Sequence, residues 1–312
     1  MRPKGTLAAL PLAVAVLACD RPRTGSELAE HHTFPASAGK LVRIESRSLD
    51  VEVVVAEAPE IAVDVRLEAR ATSRSQAARW VTRHRPRFDD TPETLTITLP
   101  RSGSVAFVGF AATNGSLVVT IPPSCRLEVN GSSGDVVLRG SARMASEARI
   151  ETSSGDVEIS GGARAVVVES TSGDVEITGD RLDLADVRTT SGDVTLRAGC
   201  ARTLVETASG DVRLAALAGE LSVTTASGNV RASFDALTPG DSVRVDTASG
   251  DITLLLPNLP LAGKVRTASG HVRSRFDGTW DRPHRELTLA AAEGAVQLSV
   301  RSRSGTIVLG KR

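Results

Sequence analysis

The chain has 312 residues, with 37 basic and 37 acidic side chains, so it lacks the basic footprint of a nucleic-acid binder. It contains six Phe, two Trp and no Tyr. That is too few aromatic rings for base-stacking platforms, and it weakens any case for sugar binding through exposed rings.

Arg2 and Lys4 precede an apolar run from Leu7 to Ala18, interrupted only by Pro11, that ends at Cys19. About a dozen apolar residues are too few to span a bilayer, which takes ~20. The run has the length of a secretory-signal core. Val16-Leu17-Ala18-Cys19 resembles a bacterial lipobox. That resemblance implies a signal peptide over residues 1–18, lipidation of Cys19 and an exported, membrane-anchored envelope protein on the periplasmic or outer-surface face. The alternative is an ordinary signal cleaved after Ala15. Residues 19–35 hold Pro22, Gly25, His31, His32 and Pro35 and read as a tether. No ligand cluster accompanies the His pair, which reads as solvated linker and not as a metal site.

Residues 36–125 read as an N-terminal β cap, or as diverged first coils. Alternating apolar residues mark strands at Leu41–Glu45, Val51–Val55, Ile61–Val65, Leu95–Leu99 and Leu117–Ile121. Between them, Ala77, Ala78, Trp80 and Val81 fit one short amphipathic helix.

From residue 126 to 312 the tetrapeptide Ser-Gly-Asp-Val dominates. It recurs at Ser133, Ser154, Ser172, Ser191 and Ser209, and in altered form at Ser227, Ser249 and Ser269. Degenerate copies stand at Glu293-Gly294 and Ser304-Gly305. Five residues before each Gly, and two and four after it, the residues are mostly Val, Ile or Leu, with polar residues between. This is the period-two signature of half-buried strands. Most copies are spaced by about 18–22 residues, the range in which repeat architectures fall. No repeat can bury its inward Val residues alone, so stacked coils must share a core. The expected fold is all-β: a single-chain β-solenoid with an N-terminal β cap. The last copy follows after a short gap and reads as a hairpin-like cap.

The order of an opening strand, a Pro-terminated strand at Leu117–Pro122, then Leu127-Glu128-Val129 and serial Ser-Gly-Asp-Val strands resembles the bacterial β-strand-repeat family labelled "putative adhesin", a domain of unknown function. The resemblance covers about residues 36–312. It implies an envelope location and a β-solenoid, and supplies no catalytic residues and no cofactor.

Asp135, Asp156, Asp174, Asp193, Asp211 and Asp251 form a ladder. Stacked carboxylates can hold Ca²⁺, but they can equally accept turn N–H groups. Asn229 keeps the acceptor without the charge, which favours the turn role over metal. His271 replaces Asp in one coil. Cys125 and Cys200 lie too many coils apart for a disulfide and are expected as two free thiols. Residues 126–185 carry six Arg against eleven acids, and residues 256–312 ten basic residues against four acids. Arg273, Arg275, Arg301 and Arg303 are therefore candidates for meeting an anionic envelope partner. The functional expectation is a non-enzymatic, adhesin-like binding or scaffold module that meets an envelope polymer or protein and no nucleic acid. The alternatives are a β-helix enzyme acting on polysaccharide and an envelope-stress sensing or signalling partner.

Overall fold

The computed structural model describes residues 25–71, 73–100, 110–179, 181–282, 284–290 and 293–312. Cys19 and the whole signal region lie outside the described residues. Among those described, the chain is all-β with one helix and builds two long sheets, of 13 and 14 strands.

Each Ser-Gly-Asp-Val repeat gives one strand to each sheet. Cys200–Ser209 lies in the 14-stranded sheet, the chain turns at Gly210, and Val212–Ala218 lies in the 13-stranded sheet. The repeats stack in parallel and in register: Val187, Val205, Val223 and Val245 face one another across successive strands. Val175, Val194, Val212, Val230 and Ile252 do the same in the other sheet. These side chains are at most 1% exposed. Full burial of each stabilises the fold by about 1.5–3 kcal/mol relative to exposure. The core is thus a double aliphatic ladder between two sheets, and β-branched residues suit it.

The N-terminal region is more regular than a cap. Leu41–Glu45 pairs in parallel with Arg126–Asn130, and Asp50–Val55 with Val136–Gly140. Residues 41–55 are therefore a full coil, turned by Ser46, whose hydroxyl donates to the Leu49 carbonyl at 2.8 Å. A further coil, Thr94–Thr98 with Phe110–Ile121, stacks on its other side. Residues 25–35 are not a tether. They form an 11-residue strand, Gly25–Pro35, antiparallel to Glu60–Ala71, which is itself antiparallel to Phe110–Ile121. The helix Arg74–Arg83 begins at Ser73, whose hydroxyl accepts the Gln76 N–H, and buries Ala77, Trp80 and Val81. It packs on the Gly25–Pro35 and Glu60–Ala71 strands.

The C-terminal end departs from chain order. Val296–Ser304 lies between Ser242–Ser249 and Leu261–Ser269, parallel to both. Ile307–Lys311 likewise lies between Ile252–Leu256 and Val272–Ser274. The last copy is accordingly a full coil inserted one place inward, not a hairpin-like cap. The hairpin is earlier: Thr279–Arg282 and Glu286–Leu289 pair antiparallel and edge the 14-stranded sheet beside Leu261–Ser269. Leu289 belongs to that hairpin, so Gly294 marks the turn leading into the inserted coil and not a repeat turn.

Candidate binding groove

The stacked turns leave no room for side chains at their glycines. Gly210 has φ 141°, and a Cβ there would meet the Gly192 carbonyl oxygen at 2.1 Å. The chain needs glycine at this point because backbone sits directly on backbone.

Beside the glycines runs the Asp ladder. Oδ1 of each carboxylate accepts the backbone N–H of the corresponding residue one coil further on. Asp156 donates to Asp135, Asp174 to Asp156, Asp193 to Asp174 and Asp211 to Asp193, at 2.8–3.0 Å. Asn229 donates to Asp211, Asp251 donates to the Asn229 amide oxygen, and Thr306 donates to Asp251 at 2.7 Å. The ladder begins one rung earlier than the repeat motif does, because Asp135 donates to Asp50. Ser48-Leu49-Asp50-Val51 keeps three of the four motif residues, which was the available signal. Arg213 bridges Asp193 and Asp211, at 2.7 and 2.8 Å. Its hydrogen bond holds the Asp193 carboxyl below the usual range. Among the described residues, no group of three or more His, Cys, Asp or Glu is placed to hold a metal ion.

Cys125 and Cys200 are free and buried, and burial pushes both thiols up. His271 is exposed, and its carbonyl accepts the Ile307 N–H from the inserted coil.

A groove of about 940 Å³ lies on the outer face of the 14-stranded sheet. It crosses successive strands between Asn130 and Ala248. One wall is the in-register row Glu151, Glu169, Arg188, Glu206 and Thr224. Two residues further along each strand stand Ser153, Thr171, Thr190, Ala208, Ala226 and Ala248. Small side chains at every crossing keep the groove open. Arg188 lies 3.5 Å from Glu169 and 3.7 Å from Glu206, and Arg149 lies 3.8 Å from Glu169. These half-exposed pairs stabilise little, under about 1 kcal/mol each, and they offset the charge of the wall only in part, since Glu151, Glu169 and Glu206 outnumber Arg188 in the row. No sequence motif pointed to this groove: the recurring buried Thr and Ser of the repeat line it too, but its charged wall stands on outward positions that vary between repeats.

The four candidate arginines do not form one patch. Arg301 and Arg303 face outward from the 14-stranded sheet. Arg273 is on Val272–Ser274 in the 13-stranded sheet, and the Arg275 N–H donates to the Leu309 carbonyl there. The structure instead brings Arg301 opposite Arg266.

Two long sheets of stacked parallel strands, with glycine turns along one edge and no closed barrel, define a β-solenoid-like repeat protein. The chain belongs to the Toastrack DUF4097 family, whose model matches residues 40–235 and 200–309. It is the β-strand-repeat family that the serial Ser-Gly-Asp-Val copies resemble. No curated protein matches the chain. Similar solved structures include a "putative adhesin" from Parabacteroides distasonis, 8% identical, covering 92% of this chain and 98% of that one, at a TM-score of 0.43. Another of the same description, from Parabacteroides merdae, is 9% identical over 90% and 95% at 0.36. A "Putative lipid binding protein" from Parabacteroides distasonis is 13% identical over 91% and 96% at 0.35.

Proposed function

We propose that this chain is an exported, non-enzymatic binding or scaffold module of the cell envelope, tethered by lipid on Cys19, that holds an extended partner in the groove of its 14-stranded sheet. The observation that carries the reading is the groove itself, which crosses strand after strand between a charged wall and a row of Ser, Thr and Ala. A glycosidase would need a carboxyl pair at a set separation with one member's pKa raised. Here Glu151 and Glu169 stand side by side on one wall of the groove and do not face each other across it, and Glu169 lies beside Arg149 and Arg188. Among the described residues, no helix is long and apolar enough to cross a membrane, so the lipid on Cys19 would supply the anchor.

The test is retention of the purified protein on isolated cell envelopes. Ala208→Trp combined with Ala226→Trp fills the groove, and Thr253→Trp places one such ring on the outer face of the other sheet. The groove variant is expected to lose at least about tenfold in retention, or 1.4 kcal/mol, while Thr253→Trp binds as wild type. Equal retention of all three would defeat the proposal.

A further inference from the structure

The out-of-order coil puts three arginines together that the sequence keeps apart. Arg301 stands directly opposite Arg266 on the neighbouring strand, and Arg303 follows two residues after Arg301. All three are exposed. None has a carboxylate within 4.0 Å among the described residues. Elsewhere on this face Arg149, Arg188, Arg202 and Arg244 each have one. Asp246, which faces Arg301 from the other side, is taken by Arg244 at 2.8 Å. Like charges directly opposite one another weaken a sheet; Glu286 faces Arg266 from the other side but is shared by Lys264 and Arg282, at 4.0 and 3.8 Å. Unpaired guanidinium forks suit the paired oxygens of a carboxylate, sulfate or phosphate.

Their place relative to the groove narrows the ligand. Thr247 pairs with Ser302 and Ser249 with Ser304, so Arg303 stands beside Ala248, where the groove ends. The groove thus runs from a wall in which Glu151, Glu169 and Glu206 outnumber Arg188 into the arginines. A uniformly charged polyanion would be repelled along the acidic stretch. No aromatic ring lines the groove to stack bases. We infer that the arginine end recognises the acidic terminal group of an otherwise neutral envelope glycan, whose neutral sugars lie along the Ser, Thr and Ala row. This inference rests on the binding-module reading and adds the ligand's chemistry and its direction.

The experiment compares binding of the purified protein to an oligosaccharide ending in a carboxylated sugar, to the same oligosaccharide without that sugar, and to phosphatidylglycerol vesicles. The triple variant Arg266→Gln, Arg301→Gln, Arg303→Gln is run beside wild type, with circular dichroism to show that it is folded. Wild type is expected to bind the acid-terminated glycan at least about tenfold more tightly than the neutral one. The preference should vanish in the triple variant and shrink in about 1 M salt, where screening is short-ranged. Equal binding of the two glycans, or a preference that survives the triple substitution, overturns the inference. Tighter binding to the vesicles than to the acidic glycan assigns the arginines to a lipid surface and also overturns it. Binding to neither glycan while envelope retention persists defeats the inference and leaves the module reading intact. Loss of envelope retention in wild type defeats both.

Discussion

At the scale of single residues, the turns do the structural work that a sequence motif made visible. Each ladder carboxylate is the acceptor for a backbone N–H that would otherwise have no partner in the stack. Asp174→Ala removes the acceptor for the Asp193 N–H and is expected to cost about 1–2 kcal/mol in urea unfolding. Asp174→Asn should lie close to wild type, because Asn229 already fills a rung. A metal-binding ladder would behave differently, with stability rising on added Ca²⁺ and lost equally in both variants. A second expectation concerns pH. The folded-state carboxyl of Asp193 is held low, first by the Arg213 hydrogen bond. A depressed pKa contributes stability that is present above the unfolded value, near 3.9, and fades as pH falls through the folded value. Arg213→Met should flatten that part of the acid limb, measured as denaturation midpoint against pH. The effect is modest because Asp193 is 43% exposed. An unchanged acid limb would show that the pair contributes nothing.

At the scale of elements, the repeats were legible and their order was not. Alternating Val and polar residues specify strands whatever their neighbours, since the period of two is local. Which strand lies beside which is a long-range matter. Val296–Ser304 carries the same alternation as any other copy and fits any slot of matching register. Gly25–Pro35 was hidden for another reason. Its inward position at residue 30 is a glutamate, 8% exposed, which breaks the apolar alternation. The glutamate's partners are His32, two residues along the same strand, and Arg85, which no spacing could pair with it. Asp50 lacked the neighbouring glycine, and the charged wall of the groove lies on positions that vary between repeats. Insertion of the last coil carries its own prediction. Removing residues 295–312 takes away a strand bonded on both sides in each sheet. Residues 257–294 should then become protease-sensitive while the earlier coils stay resistant. If the truncated protein resists as well as wild type, the inserted coil is not what holds that end.

At the scale of the whole molecule, the fold is a rod with two different faces. Eleven parallel coils among the described residues give ten spacings of ~4.8 Å, or about 48 Å. Glycine turns and the Asp ladder run along one edge, and the groove runs along the outside of one sheet. The aliphatic ladder is thin, and the surface it leaves open to the proposed partner is long and shallow. Charge is graded along that surface, from the glutamates of the early repeats to the unpaired arginines of the inserted coil. Holding a partner in the envelope is the role proposed for this surface. Its most direct test is photo-crosslinking in living cells, with benzoylphenylalanine placed at Ala226 in the groove or at Thr253 on the opposite sheet. The groove position is expected to yield a discrete crosslinked species that the Thr253 position does not. No crosslink from Ala226, or the same products from both positions, would contradict the account.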